Sequence, residues 1–76
     1  MKNKTLQTLR IEKGLTQEQA SKILDITKEY LSMLETGDRN PSDSLKEKMA
    51  KLYDCQIADI YSAINSTKRL KIKNNK

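Results

Sequence analysis

Apolar residues recur along this chain every three or four positions, which is the spacing of helices that bury one face. In the first half these positions are Leu6, Leu9, Ala20, Ile23, Leu24, Leu31 and Leu34. In the second half they are Leu45, Met49, Leu52, Tyr53, Ile57, Ile60, Tyr61 and Ile64. Valine is absent and threonine is sparse, so the chain holds little material for strands. The pattern predicts five short helices, an all-α fold, around one core.

Polar residues at the expected helix boundaries support this division. The first helix is predicted over about residues 3–13. Thr16 and Gln19 stand three positions apart, which predicts a reciprocal capping box at the start of the second helix. Thr27 can cap the third helix, and Gly37 can end it in the left-handed conformation.

Apolar content falls after Ile64, which sets the expected domain boundary. Residues 1–64 are expected to form the folded domain and residues 65–76 a basic, flexible tail. The expected domain carries ten Lys/Arg and ten Asp/Glu, so the net charge of +5 lies in the tail. The tail cations are Lys68, Arg69, Lys71, Lys73 and Lys76. The tail is interpreted as a solubilising end, with an arm that contacts nucleic-acid phosphates as the alternative.

The composition narrows the classes of function. One cysteine and no histidine exclude an internal disulfide and leave no metal site. The chain has no glycine-rich phosphate loop and no nucleophile beside a candidate base, so we expect neither an enzyme nor a cofactor.

A chain of 76 residues buries a modest core, and domains this small often need further stabilisation. We expect a second copy of the chain to supply it, in a homodimer.

Nothing in the sequence predicts a membrane partner or secretion. No stretch approaches the ~20 apolar residues of a membrane span. The N-terminal residues Met1-Lys2-Asn3-Lys4 lead into an amphipathic segment and lack the apolar run of a secretory signal. The lone thiol of Cys55 suits a reducing compartment. The expected location is the cytoplasm.

Two short helices separated by about three residues are predicted between Thr16 and Pro41. This spacing allows a helix-turn-helix unit or an ordinary helix pair of a small bundle. Residues 14–20 read Gly-Leu-Thr-Gln-Glu-Gln-Ala, and residues 34–41 read Leu-Glu-Thr-Gly-Asp-Arg-Asn-Pro. Together they closely resemble the phage-repressor helix-turn-helix family, the Cro and XRE type, over about residues 5–64. The resemblance implies a five-helix lambda-repressor-like DNA-binding domain, with the third helix in the major groove of double-stranded DNA.

The resemblance also implies which residues contact DNA. Gln17 would contact a phosphate and brace the recognition helix, and Arg39 and Asn40 would meet phosphates from the following loop. The candidate base-contacting and flanking positions of the third helix are Thr27, Lys28, Glu29, Tyr30, Ser32 and Met33. Lys28 could donate to guanine or to a phosphate, and Glu29 could accept from cytosine. Whether Tyr30 touches the DNA backbone or packs inward stays open.

Two further positions follow from the resemblance. Arg10 and Glu35 match an arginine and a glutamate that pair in the family, so we expect a partly buried ion pair with a structural role. Asp25 stands where the family usually has glycine, in a turn that needs a positive φ, a conformation aspartate tolerates at some cost.

The expected function is sequence-specific transcriptional regulation, with repression of a near-palindromic operator as the default. Two recognition helices of a homodimer would lie ~34 Å apart in adjacent major grooves. The expected dimer interface consists of Leu52, Ile60, Tyr61 and Ile64. The alternative is a protein-interaction module on the same fold, such as an antitoxin or an anti-repressor that binds a regulatory protein partner. The balanced charge of residues 1–64 and the acidic Glu29 favour this alternative mildly.

Overall fold

Five helices follow one another in the part of the chain that the structure describes. The structure, a computed structural model, describes residues 4–72, with side chains described for residues 4–67. The helices are α1 Leu6–Glu12, α2 Gln17–Leu24, α3 Lys28–Thr36, α4 Asp43–Leu52 and α5 Ile57–Ile72. No strand occurs over residues 4–72, and none of these five helices is long and apolar enough to cross a membrane. The predicted all-α fold is confirmed.

Residues with hydroxyl side chains cap the N-termini of the first four helices. The N-cap residues of α1 to α4 are Thr5, Thr16, Thr27 and Ser42, and each accepts the amide proton three residues further on. The predicted capping box at α2 is present, because the amide of Thr16 also donates to Oε1 of Gln19 over 2.9 Å. The predicted start of α1 near residue 3 is wrong, since Thr5 caps that helix and α1 begins at Leu6.

The core lies among the five helices, with α3 near its centre. Leu31 and Leu34 of α3 are 0% and 1% exposed, and α3 packs against α1, α2 and α5. The other buried apolar side chains are Leu6, Leu9, Ala20, Leu24, Leu45, Met49, Ala50, Tyr53, Ile60, Ala63 and Ile64. Burial of one large aliphatic side chain stabilises a fold by about 1.5–3 kcal/mol. Leu31 and Leu34 therefore hold one side of α3 against the core. The opposite side of the helix is left for contact with a ligand.

The turn between α2 and α3 is short and left-handed at its first residue. Asp25 ends α2 with φ 62° and ψ 45°, the positive φ expected of this position. The amide of Ile26 donates to the carbonyl of Ser21 over 2.9 Å, which satisfies the end of α2. Thr27 then caps α3. Residues 25–27 thus join α2 to α3 in a short turn, and the two helices pack against each other.

The last helix is longer than the sequence predicted. It was expected to end near Ile64, but α5 continues to Ile72. Thr67 is 1% exposed, and its Oγ1 accepts the amide proton of Leu6 over 3.3 Å. The boundary at residues 64–65 is therefore wrong for the helix, because packing against the start of α1 continues beyond it. The tail cations Lys73 and Lys76 lie outside the described residues.

Candidate nucleic-acid interface

The N-terminal flank of α3 stands at the surface of the protomer. Thr27, Lys28 and Glu29 are exposed, whereas Ser32 and Met33 one turn later are half-buried. Residues four positions apart on a helix are neighbours, so Lys28 precedes Ser32 and Glu29 precedes Met33 on the same side. This side carries a cation, a carboxylate, a hydroxyl and a thioether. It offers donors, an acceptor and an apolar contact, the groups that distinguish base pairs in a major groove.

Tyr30 supports the helix from the inside. Its side chain is half-buried and packs against the hydrophobic core. Of the two alternatives that the sequence left open for this residue, the structure shows the inward one. Tyr30 therefore packs beneath the flank, and the rest of its half-buried side chain stays at the surface.

A buried ion pair lies beneath this part of the molecule. Arg10 Nε donates to Oε2 of Glu35 over 2.7 Å, and Arg10 Nη2 donates to Oε1 over 3.2 Å. The two residues are 7% and 8% exposed. Arg10 Nη1 also donates to the carbonyl of Leu15 over 2.8 Å. The expected contact between Arg10 and Glu35 is present, and its two-pronged geometry joins α1, the loop after it and α3.

Gln17 connects this pair to the surface. Its Nε2 amide donates to Oε1 of Glu35 over 2.9 Å, so the first residue of α2 is held against α3. The sequence predicted that Gln17 braces the recognition helix, but it did not reveal Glu35 as the acceptor. The spacing of apolar residues revealed the buried side of α3. The acceptor of the Gln17 side chain depends on how α2 packs against α3, which the sequence does not show.

An open polar groove of about 600 Å³ runs past the N-terminus of α2. Its lining residues are Gln7, Arg10, Leu15, Thr16, Gln17, Glu18 and Lys28. The first-turn amides of a helix have no partners inside the helix, and the helix dipole favours an anion there. The ammonium of Lys28 adds positive charge to the same groove and the carboxylate of Glu18 adds negative charge, whereas the charge of Arg10 is paired with Glu35. The groove is therefore polar with balanced charge, and the first-turn amides of α2 are the feature that suits a phosphate group.

The loop after α3 is anchored at its start and carries two exposed donors. The amides of Asp38 and Arg39 both donate to the carbonyl of Met33, over 2.9 and 3.3 Å. Gly37 ends α3 in the left-handed conformation with φ 90°, as predicted. Arg39 and Asn40 are exposed, whereas Pro41 is buried. Cationic and amide donors thus follow the C-terminal end of α3, and Lys28 stands at the N-terminal end.

The family model described as Helix-turn-helix matches residues 6–60. The chain belongs to the helix-turn-helix family, the Cro and XRE type. In the terms of that family, α2 and α3 are the two helices of the unit, joined by residues 25–27, and the predicted relationship is confirmed. The match covers α1 through α4 and reaches the first residues of α5.

Several curated proteins of this helix-turn-helix family are similar to the chain. One from Bacillus subtilis is 39% identical over 51 residues, 67% of each chain, and is named as an uncharacterized HTH-type transcriptional regulator. One of the same description from Methanocaldococcus jannaschii is 38% identical over 61 residues, 80% of this chain and 91% of its own. A third, from Archaeoglobus fulgidus, is 32% identical over 74% of this chain and 80% of its own. No solved structure matches the chain.

The expected dimer interface is partly wrong. Ile60 and Ile64 are 0% and 8% exposed, because they fill the core of their own protomer. Leu52 is half-buried, and Tyr61 is 49% exposed with the Lys46 ammonium 4.5 Å from its ring centre. Ile57, one turn before Tyr61, is 40% exposed. The helical spacing of the three isoleucines and the tyrosine did not reveal which side of α5 faces inward.

Two other polar groups lie near the core. The Tyr53 hydroxyl is buried without a hydrogen-bond partner among the described residues. Burial, with a smaller contribution from the Glu35 carboxylate, raises the pKa of Tyr53 to about 12. Burial also raises the pKa of the Cys55 thiol, and Asp59 and Asp54 add to that effect. The thiol is therefore held in its unreactive protonated form.

No group of three metal-ligating side chains occurs within the described part of the chain.

Proposed function

We propose that the chain is a sequence-specific DNA-binding transcriptional regulator that reads base edges with the exposed flank of α3. The observation that carries the proposal is the exposure of Thr27, Lys28 and Glu29 on a helix whose Leu31 and Leu34 are fully buried. A recognition helix needs such a division, since one side must be fixed and the other must enter the groove. The family and the names of the similar proteins support the same function.

The roles of individual residues follow from their donors and acceptors. Lys28 donates to guanine or to a phosphate, and Glu29 accepts from the amino group of cytosine. Ser32 hydrogen-bonds to a base edge, and Met33 covers a thymine methyl group. Gln17 presents the first turn of α2 to a phosphate, while its side chain stays bonded to Glu35. Arg39 and Asn40 donate to phosphates, which sets the register of the protein without specifying sequence.

The interface is only weakly basic, so a single protomer binds DNA modestly. The cations Lys28 and Arg39 stand beside the carboxylates of Glu29 and Asp38, and phosphate neutralisation supplies most non-specific affinity. We propose that a homodimer makes up the difference, with its recognition helices ~34 Å apart on a near-palindromic operator. The proposed homodimer represses transcription by occupying that operator. The proposed location of the protein is the cytoplasm.

The surface of α5 that remains for this homodimer is the pair Ile57 and Tyr61. They lie one turn apart and are 40% and 49% exposed. An isologous contact around a two-fold axis would bury both pairs at once. Sedimentation is expected to show a dimer at micromolar concentration, and Tyr61→Ser is expected to shift it towards the monomer. A wild-type monomer at that concentration would remove this part of the proposal and leave the DNA contacts standing.

A salt titration tests DNA binding itself. Fluorescence anisotropy with a mixed-sequence duplex should show a binding constant that falls linearly with salt on logarithmic axes. Lys28→Ala should weaken binding, and it should also reduce the slope by about 1 if the lost contact is to a phosphate. Lys48→Ala, an exposed lysine on α4, is the matched control and should leave the affinity and the slope unchanged. Absence of binding, or an affinity that Lys28→Ala does not lower, would contradict the proposed interface.

The second candidate is a protein-interaction module, an antitoxin or anti-repressor on the same fold. The exposed Glu29 favours it, since a carboxylate on the recognition flank opposes phosphates. The same titration separates the two candidates. An apolar protein contact weakens little with salt, whereas DNA binding weakens steeply.

A further inference from the structure

A second surface lies between α2 and α4, away from the polar groove. It is an open depression of about 370 Å³ lined by Ile23, Leu24, Lys48, Lys51 and Leu52. Its floor is apolar, and Ile23 is 59% exposed, the largest exposed fraction among the big apolar side chains of the described residues. The depression and the polar groove share no lining residue. This surface is named the Ile23 surface below.

Two lysines without ion-pair partners border the apolar floor. Within residues 4–67, four lysines pair with carboxylates: Lys4, Lys13, Lys22 and Lys46. Lys48 and Lys51 form no such pair in that range, and neither does Lys28 of the recognition flank. Glu47 of the same helix lies one turn before Lys51 but forms no ion pair with either lysine. Apolar contact area beside two unpaired ammonium groups is complementary to an apolar group that is flanked by carboxylates.

We propose that the Ile23 surface docks an acidic segment of a different protein, which places an aliphatic side chain against Ile23 and Leu52 and carboxylates beside Lys48 and Lys51. A nucleic acid is a poorer occupant, because phosphates would pair with the lysines but leave the isoleucine in water. The proposal does not depend on the DNA-binding function.

A second copy of the chain is also a poorer occupant. If two Ile23 surfaces met around a two-fold axis, Lys48 and Lys51 of each protomer would face the same cations of the other, and such like-charge contacts are unfavourable. An alternative contact with the exposed Ile57 and its neighbours Asp54 and Asp59 would be head-to-tail, which generates rings or open chains instead of two-fold dimers. The charge pattern therefore points to a separate acidic partner.

Selection from a library of random peptides displayed on phage, against the full wild-type chain, tests the proposal. Enriched peptides are expected to share an aliphatic residue flanked by Asp or Glu. A synthetic copy of an enriched peptide should bind Ile23→Ser about tenfold more weakly, the expected effect of losing one central apolar contact. Ile11→Ser, at another isoleucine that is 56% exposed, is the matched control and should bind the peptide like the wild type.

Charge reversal separates docking from loss of folding. The double variant Lys48→Glu with Lys51→Glu should lose the acidic peptide and bind a version whose carboxylates are replaced by lysines. Enrichment of no peptide, enrichment of basic peptides, or equal binding by Ile23→Ser would overturn the proposal. So would a shift from dimer to monomer caused by Ile23→Ser in sedimentation, since the occupant would then be a second copy.

Discussion

Gln17 and Glu35 are joined by a hydrogen bond of 2.9 Å between the Nε2 amide and Oε1, and the same oxygen receives Nη2 of Arg10 over 3.2 Å. One carboxylate therefore connects α1, the first turn of α2 and α3. The candidate interface consists of the first turn of α2, the N-terminal flank of α3 and the loop after α3. Its geometry is consequently fixed by an interaction beneath the surface, and not by the side chains that would touch a ligand.

Replacing Arg10 with methionine is expected to lower the free energy of unfolding by about 3–5 kcal/mol, because the charge of Glu35 stays buried without its partner. Urea unfolding at neutral pH measures this. The double variant Arg10→Met with Glu35→Leu should recover much of the loss, since neither charge remains. Lys4→Met, which breaks the exposed pair Lys4–Glu12, is the control and should change stability little. An effect of Arg10→Met as small as the control's would show that the pair does not hold the fold.

Asp25→Gly is expected to stabilise the chain by at most about 1 kcal/mol, because glycine adopts a φ of 62° without strain. Asp25→Ala is the matched variant, since alanine keeps the β-carbon and loses the polar group that tolerates this conformation. Thermal unfolding should rank glycine above aspartate and aspartate above alanine. If glycine is clearly less stable than aspartate, the side chain of Asp25 makes a contact that outweighs the backbone strain.

Thr67→Val is expected to cost about 1–3 kcal/mol, since valine keeps the shape but leaves the buried amide of Leu6 without an acceptor. Ser62→Ala, on the exposed side of the same helix, is the control and should stay within about 0.5 kcal/mol of the wild type. Both are measured by denaturant unfolding. Equal effects of the two substitutions would mean that α5 does not pack on the start of α1.

Alkaline stability should depend on Tyr53. Its pKa is raised from 10.0 to about 12 in the folded chain, first by burial and then by the Glu35 carboxylate. Tyr53 therefore contributes stability that is complete below pH 10 and is lost as the pH rises from 10 towards 12. Tyr53→Phe cannot ionise, so its unfolding free energy should decline less than that of the wild type over this range. Parallel declines in the two proteins would show that the hydroxyl ionises as freely in the folded state as in the unfolded state.

Features with local causes were predictable from the sequence. The capping box of Thr16 and Gln19 and the cap at Thr27 need only residues three positions apart, so they are visible without knowledge of the fold. The positive φ of Asp25 was expected from the family resemblance, which places a glycine in this turn. The ion pair of Arg10 and Glu35 was predicted from the family resemblance. The apolar spacing alone shows that both charged residues lie on buried faces, but it does not show that they pair with each other.

Features with distant causes were not predictable. Thr67 is polar and is followed by a run rich in cations, so the local pattern ended α5 too early; its burial depends on a contact with Leu6, 61 residues away. Ile60 and Ile64 were assigned to a dimer surface because a short terminal helix was not expected to bury two faces in one small domain. The structure shows both side chains buried in their own core, and the number of faces that a core can bury depends on packing, which the sequence does not show. The acceptor for Gln17 depends likewise on the crossing of α2 and α3.

The most direct test of the proposed recognition by α3 is selection of bound sequences from a pool of random DNA duplexes. The wild type should enrich one near-palindromic sequence whose half-sites lie about one helical turn, ~34 Å, apart. Glu29→Gln should change the preferred base pair at one position of each half-site, because the amide can donate as well as accept. Lys48→Ala should select the wild-type sequence. A pool that the wild type leaves unenriched would contradict the account.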